Sequence, residues 1–446
     1  MQNFAVSFSA TAAVTIIGLL LTPIVSRIYA PAAYGQFAVF SSVLNNLALV
    51  STMTLHGALL LPKTRKDLLD LVNAILVLSA GWAIILLLLL FAFNNWVINY
   101  LQIPAIGKWF FLLPFVLLLM NGSNVMGIWY IRKKYFKKRA SVDISTSLVG
   151  RGVTIGTGLL LHGNGMGLVF GDFANRLTNF SGLLLQGFFR EIPLLWRTFS
   201  WQGCWQVVKK YKEYPLYVLP TNYISALSGQ VPILLLTSSF GSTVVGLYSF
   251  SVSLLEMPLN LIGTSIAPVF MQKATEIQHT APERLKEVTL SLYNKFLYAG
   301  LLPFGFLTIF GDVIFRVAFG AKWEMAGLFT AYLGYYYSFK LMATLTSPIY
   351  TVLEKQHYGL ISNVLLLAVR VCGLLIGIAR HDVDTALLLF GTGSLLVTFS
   401  TDLHILHLLG APVLRTALRT VTLSASAIGL MWLLRLGLHN IVPQWV

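Results

Sequence analysis

The chain alternates long hydrophobic runs with short polar connections over almost its whole length. A helix needs about 20 mostly apolar residues to cross the hydrocarbon core of a bilayer, and the runs are about that long. The first run carries neither a basic segment nor a small-residue cleavage site, so it is predicted to stay as a helix. The pattern predicts membrane helices near residues 4–28, 34–61, 71–93, 106–130, 142–162, 167–189, 215–238, 244–270, 291–311, 327–353, 359–378 and 385–409, with a weaker segment near 418–437.

Composition agrees with a polytopic membrane protein, because 56% of the 446 residues are hydrophobic and only 11% are charged. Soluble domains carry about 25% charged residues. The net charge of +15 does not indicate nucleic-acid binding, since the basic residues cluster between the hydrophobic runs. Cys204 and Cys372 cannot form a disulfide framework and lack metal-ligand spacing. No catalytic residue, metal or cofactor is predicted.

Lys and Arg are concentrated in every second connection, most densely at 132–139. The positive-inside rule therefore predicts a cytoplasmic N-terminus. The longest connection is rich in Trp and Lys, which is typical either of an interfacial helix or of an ordinary basic linker. We predict an all-α transmembrane bundle with a six-helix lobe at 1–189, that linker at 190–214, a second six-helix lobe at 215–410 and a C-terminal segment at 411–446.

Four cationic residues, Arg151, Arg176, Lys340 and Arg370, lie near the middle of predicted spans. Each such charge costs roughly 2.5–3.5 kcal/mol on insertion scales, so four together cost on the order of 10 kcal/mol unless they line a wet cavity or pair with acids. Guanidinium groups match phosphate oxygens through paired hydrogen bonds. These side chains are therefore candidate ligands for an anionic substrate.

Two acidic residues lie within the same spans. Asp172 stands one turn from Arg176, so these two can instead form a structural ion pair. Glu256 lies near the centre of its span, where it either neutralises Lys340 or Arg370 or exchanges a coupling ion as a cavity opens and closes. Asp172 and Glu256 are thus the candidate ion-coupling residues.

Polar residues near the end of the twelfth predicted helix are candidates for other chemistry. His404 and His407 have a spacing that metals or proton shuttles use, but no further ligand is evident. Asp402 is expected to form a salt bridge nearby. The tyrosines around position 336 suit either sugar stacking or packing between helices.

The two halves of the chain resemble each other weakly. Residues 34–41, YGQFAVFS, open the second predicted helix, and residues 245–251, VGLYSFS, open the eighth. Each follows a span with a proline near its outer end, Pro23 or Pro232. Repeated halves are typical of alternating-access transporters, although apolar helices also resemble one another by chance.

Residues 21–42, LTPIVSRIYAPAAYGQFAVFSS, resemble the opening of the polysaccharide-transport branch of the MOP superfamily, which contains the Wzx-type O-antigen flippases. That opening has a proline before an arginine at the end of helix one, a short aromatic–proline loop and an aromatic–glycine pair at the start of helix two. The run Gly320-Ala321-Lys322-Trp323 resembles the family's Gly-x-x-Trp outer loop. The resemblance extends to about residue 410.

The resemblance implies a MATE-like fold and a flippase of the bacterial inner membrane. Its substrate would be an undecaprenyl-pyrophosphate-linked oligosaccharide, such as an O-antigen repeat unit of lipopolysaccharide, moved to the periplasmic leaflet by H⁺ or Na⁺ antiport. Polysaccharide polymerase and chain-length proteins, together with membrane lipids, are the implied partners. The match also marks Arg27 for substrate contact or gating, although an arginine at a helix end can simply snorkel to the headgroups.

Three other functions remain open from the sequence. A multidrug or metabolite antiporter of the same superfamily would favour an acidic cavity. A membrane-embedded glycan polymerase or ligase would need a sizeable external loop, and the predicted loops are short. A non-catalytic assembly subunit would leave the cost of the mid-span cations unexplained.

Overall fold

The computed structural model describes residues 2–101 and 107–441, which form helices and turns without any β-strand. Within these residues, eight helical segments are long and apolar enough to cross a membrane. The all-α membrane-protein class that was predicted from the hydrophobic runs is confirmed.

The chain divides into two compact units, Met1–Gly246 and Leu247–Val446. Helix α9, Leu219–Ser265, runs across this boundary. The first unit contains α1 (Gln2–Ile28), α2 (Pro31–Ser51), α3 (Arg65–Leu101), α4 (Leu113–Arg132), α5 (Phe136–Leu160), α6 (Met166–Leu185), α7 (Ile192–Arg197) and α8 (Trp201–Lys210).

The second unit ends in the thirteenth helix that the weaker hydrophobic segment predicted. This last helix has only 11% of its most apolar window buried in the protein, so most of its surface is free to face lipid. The helices of this unit are α10 (Ala267–Thr280), α11 (Glu283–Phe319), α12 (Glu324–Thr346), α13 (Ile349–Val352), α14 (Gln356–Ala379), α15 (Val383–Leu408) and α16 (Val413–Ile441).

Some predicted helix ends were wrong. The second predicted helix extended to residue 61, but α2 ends at Ser51, and Met53 and Thr54 adopt left-handed backbone angles with φ of 48° and 55°. Such angles interrupt the α-helical hydrogen-bond ladder, and a 3₁₀-helix follows at Leu55–Leu60. The eighth predicted helix extended to residue 270, but Pro268 lies in the first turn of α10, where its missing N–H costs nothing.

A sharp break divides α9 where two separate helices were predicted. Gly241 has φ 81° and ψ 174°, a conformation that residues with a Cβ rarely adopt. Just beyond it, α9 passes so close to α2 that a Cβ on Gly35 would lie 1.7 Å from the carbonyl oxygen of Ser242, and one on Gly246 would lie 1.7 Å from that of Pro31. The two glycines of the repeated sequence pattern therefore pack against each other's helix backbone.

The connection between α6 and α9 is helical and amphipathic. Ser200 caps α8 by accepting a hydrogen bond from the backbone N–H of Gly203 at 3.3 Å. One face of α8 is buried against α3, whereas Trp201 and Trp205 on the other face are 68% and 71% exposed. Such an amphipathic helix is typical of an interfacial helix, and the location of α8 at the membrane surface stays a prediction.

Candidate functional site

Arg151 lies in a predicted span and has few polar contacts among the described residues. It lies in the middle of α5, where that helix packs on α1, and its Nη2 is 3.4 Å from the position that a Cβ on Gly18 would occupy. Tyr34 of α2 is close enough for an electrostatic interaction. Among the described residues, the partly buried guanidinium has no hydrogen-bond or ion-pair partner. Its donors are therefore available to an anionic ligand.

Hydrogen bonds fix the helix that carries Arg151. The hydroxyl of Tyr29, next to the end of α1, donates to the carbonyl of Thr154 at 2.7 Å. On the other side of α5, the amide of Asn175 in α6 donates to the carbonyl of Thr146 at 3.3 Å. These carbonyls flank Arg151 along α5, so the guanidinium is held on a rigid backbone.

Arg176 and Asp172 form an ion pair along α6. Their Nε and Oδ2 atoms are 2.7 Å apart, and the two side chains are 19% and 18% exposed. The structural pairing that the sequence spacing suggested is therefore present. A substrate anion would have to compete with Asp172 for this guanidinium.

Lys340 and Glu256 form the corresponding pair in the second unit. The Nζ of Lys340 on α12 is 2.7 Å from Oε1 of Glu256 on α9, so Glu256 neutralises Lys340. The ring centroid of Tyr337 lies 4.9 Å from the same Nζ. Both charged groups line a cavity of about 190 Å³ together with Asn260 and Thr344. The pair is therefore accessible from a small polar cavity.

Arg370 is a packed, hydrogen-bonded group in α14. Its side chain is buried, Nε donates to the hydroxyl of Ser394 at 2.9 Å, and Nη2 donates to the hydroxyl of Tyr336. The guanidinium also lies 4.9 Å from the ring centroid of Phe390. These contacts account for its charge within the protein and give it a positioning role between α12, α14 and α15.

The remaining candidates occupy simpler environments. Arg27 is exposed in the last turn of α1. Asp402 was expected to form a salt bridge, but this prediction was wrong for the described residues. Its side chain points into the helix packing, where Thr346 donates to it at 2.6 Å.

His404 Nδ1 is 2.8 Å from the hydroxyl of Tyr350, and the described residues contain no cluster suited to a metal.

Sequence reasoning missed the role of the tyrosines in α12. Tyr336 and Tyr337 are 2% and 4% exposed, and each contacts one of the cations that the sequence placed within predicted spans. A sequence signal for this role was present. The two tyrosines lie four and three residues before Lys340, and residues at these spacings are neighbours on a helix surface.

The profile of the polysaccharide biosynthesis protein family matches residues 24–327 of the chain. The chain belongs to this family. The amylovoran biosynthesis protein AmsL of Erwinia amylovora is 23% identical over 384 residues, which cover 85% of this family member and 92% of AmsL. The succinoglycan biosynthesis transport protein ExoT of Rhizobium meliloti is 23% identical over 306 residues, covering 68% of this chain and 59% of ExoT.

Two solved structures share the fold. An inward-facing multidrug resistance MATE family transporter of the MOP superfamily has a TM-score of 0.68 at 12% identity, over 91% of this chain and 98% of its own. The lipid II flippase MurJ in an inward closed conformation has the same TM-score and identity, over 96% and 92% of the two chains. The family member therefore has the fold of these transporters, which confirms the predicted fold. The profile match confirms the predicted family resemblance.

Proposed function

We propose that the protein is a flippase that moves an undecaprenyl-pyrophosphate-linked oligosaccharide, the repeat unit of a bacterial polysaccharide such as O-antigen, from the cytoplasmic to the periplasmic leaflet of the inner membrane. The family match and the transporter fold support this class of function. The observation that carries the substrate assignment is Arg151, a partly buried cation with no partner among the described residues.

The physical problem that such a protein solves is desolvation. Pyrophosphate and sugar hydroxyls lose their hydration in hydrocarbon, and an ionised group without compensation cannot enter it. A guanidinium replaces part of that hydration through charge-assisted, paired hydrogen bonds to phosphate oxygens. In this proposal, Arg151 makes that contact with the pyrophosphate while the lipid tail stays in the bilayer.

Ion antiport is proposed for the Lys340–Glu256 pair. As long as Nζ lies 2.7 Å from Oε1, the two charges compensate each other. When movement of α9 against α12 separates them, the carboxylate must take up H⁺ or Na⁺, because an unpaired charge at this depth is costly. The transmembrane gradient of this ion, which is taken up on separation and released on re-pairing, would supply the driving force in place of ATP. The Arg176–Asp172 pair is a second candidate for the same exchange.

The test measures lipid-linked glycan in each leaflet after depletion of the protein, with complementation by wild type, Arg151→Ala or Lys137→Ala. Lys137 is an exposed cation in the first turn of the same helix and serves as the matched control. A hydrogen bond to a charged group contributes about 1.5–3 kcal/mol, so Arg151→Ala should slow flipping roughly 10- to 100-fold. Lys137→Ala should complement fully.

Three outcomes distinguish the flippase assignment from the assignment of Arg151 as a substrate contact. Lipid-linked glycan that accumulates on the cytoplasmic side on depletion and with Arg151→Ala supports both. Accumulation on depletion with full complementation by Arg151→Ala refutes the arginine contact alone. Unchanged lipid-linked glycan on depletion refutes the flippase and favours a drug or metabolite antiporter with the same fold.

A further inference from the structure

A basic pocket lies between the ends of α3 and α4 and the segment that leads into α7. Its volume is about 370 Å³, which is in the size range of ligand sites. We call it the basic pocket. Four cationic side chains and one acidic side chain line it, namely Lys63, Arg65, Arg132, Lys133 and Glu191.

The cations of the basic pocket are not equally engaged with the protein. Arg132 donates to the backbone carbonyls of Leu59 and Pro62 at 3.1 and 2.5 Å, so it is part of the wall. Arg65 pairs with Glu191 at 3.2 Å while remaining 69% exposed. Lys133 is exposed over the ring of Trp129, with Nζ 5.7 Å from the centroid. The single acid leaves the pocket with an excess of positive charge.

The floor of the basic pocket is apolar. It consists of aliphatic and aromatic side chains, including Leu68, Leu69, Trp129, Phe188 and Leu195. Among the described residues that line the pocket, none is a Ser, Thr, Asn or Gln that could bind sugar hydroxyls. A ligand that satisfies both surfaces is amphiphilic, with an anionic head at the rim and a hydrocarbon portion on the floor.

The amphipathic helix next to this pocket indicates where it lies relative to the membrane. Trp196 at the end of α7 is 80% exposed, and Trp201 and Trp205 on α8 are also largely exposed. Tryptophan prefers the headgroup level of a bilayer. Lys210 at the end of α8 is tied to Asp67 in the first turn of α3 at 2.5 Å, and this contact raises the pKa of Lys210. The pocket therefore opens at headgroup depth.

We propose that the basic pocket binds the phosphate headgroup of an anionic glycerophospholipid. Lys63, Arg65 and Lys133 contact the phosphate, and the upper part of the lipid covers Trp129 and Phe188. Basic residues near a membrane surface each contribute about 1 kcal/mol to binding anionic lipid. The bound lipid would hold the α6–α9 connection against α3 and α4. This site is separate from Arg151 and does not depend on the proposed substrate.

The experiment uses the purified full-length protein, native mass spectrometry and two lipids, phosphatidylglycerol and phosphatidylethanolamine. The test variant is Lys63→Gln with Lys133→Gln, which spares the wall residue Arg132. The control variant is Lys134→Gln with Lys137→Gln, which removes the same charge from exposed positions at the same end of the helices. Because two basic residues at about 1 kcal/mol each are removed, phosphatidylglycerol should bind the test variant roughly 30-fold more weakly than wild type. The control variant should bind it like wild type.

Crosslinking with a photoactivatable phosphatidylglycerol locates the bound lipid. Labels on peptides that contain Trp129 or Phe188, lost in the test variant, support the proposal. Equal binding of the two lipids overturns it, as does equal weakening by the test and control variants. Displacement by inorganic phosphate or a soluble phosphopeptide, without retention of phosphatidylglycerol, also overturns it and indicates a water-soluble ligand instead.

Discussion

Arginines at similar positions within their helices have different environments in this protein. Arg370 is enclosed by Tyr336, Ser394 and Phe390, whereas Arg151 lies beside the bare backbone of Gly18. A buried cation that is fully hydrogen-bonded contributes to specific packing, and one without partners is suited to an external anion. The two residues should therefore respond differently to substitution.

We expect Arg370→Gln to lower the stability of the protein. The substitution leaves the hydroxyls of Tyr336 and Ser394 without their donor, and a buried polar group that loses its partner costs about 1–3 kcal/mol. Thermal unfolding of the detergent-purified protein measures the change, with Arg151→Gln as the matched control. Equal stability of the two variants would contradict the assigned difference between the two arginines.

Trp323 explains the Gly-x-x-Trp motif in structural terms. Its ring is fully buried and stacks on Phe250 at a centroid distance of 4.1 Å, while Gly320 takes a φ of 102° that allows the chain to turn into α12. Burial lowers the pKa of the neighbouring Lys322. The motif therefore anchors the start of α12.

Trp323→Ala should destabilise the protein by about 3–5 kcal/mol, as expected when a buried aromatic side chain is removed. Lys322→Gln, which keeps the ring, is the control and should change stability little. The midpoint of thermal unfolding, monitored by size-exclusion chromatography after heating, distinguishes the two. A mild effect of Trp323→Ala combined with a loss of transport would indicate a substrate role instead.

The sequence allowed some of this residue chemistry to be predicted and hid the rest. The Asp172–Arg176 pair follows from a spacing of one helical turn, which sequence displays directly. The burial of Arg370 depends on which residues α12 and α15 turn toward it, and the isolation of Arg151 depends on a glycine in another helix. Such long-range contacts leave no local signal.

At the level of helices, the length of the hydrophobic runs predicted well which helices exist but predicted poorly where they end. The runs specified the helices because each must bury an apolar surface in lipid or protein. The end of α2 depends instead on two left-handed residues, Met53 and Thr54, which are not residue types that usually signal such a turn. For residues 201–210 the sequence left two interpretations open, an interfacial helix and an ordinary basic linker, because the apolar face of this segment is short.

Helices α2 and α9 cross with their backbones in close contact at Gly35. A methyl group on this residue would overlap the carbonyl of Ser242. Because backbone rather than a flexible side chain blocks the space, Gly35→Ala should force the helices apart and reduce both stability and transport. Gly229→Ala, where a Cβ would meet no atom within 4 Å, is the control on α9. Wild-type transport by Gly35→Ala would show that α2 and α9 can move apart at this point without loss of function.

The contact between α9 and α12 gives a prediction about coupling. Lys340→Gln or Glu256→Gln alone leaves one charge of a predicted span without its partner, so each should reduce the amount of folded protein. The double variant should restore the folded amount but not ion-driven transport in proteoliposomes with imposed H⁺ or Na⁺ gradients. Thr344→Val, an uncharged change in the same cavity, is the control. Gradient-driven transport by the double variant would rule out this pair as the coupling site.

For the whole molecule, the distribution of Lys and Arg predicts a single orientation, and two connections test it. Lys137 lies in the first turn of α5, within the basic stretch 132–139, and Arg380 lies in the turn between α14 and α15. Both side chains are exposed, so Lys137→Cys and Arg380→Cys should report accessibility without disturbing packing. The native Cys204 and Cys372 are first replaced by Ala, because Cys372 is exposed and would react.

A membrane-impermeant maleimide should label Arg380→Cys in intact spheroplasts and Lys137→Cys only after permeabilisation. This result follows if the positive connections stay on the cytoplasmic side, since translocating a cluster of cations against the membrane potential is unfavourable. The opposite labelling would show that the protein has the inverted orientation, with the basic pocket on the periplasmic side. In the predicted orientation, the amphipathic α8 lies on the cytoplasmic side, which is the side from which the proposed flippase would collect its substrate.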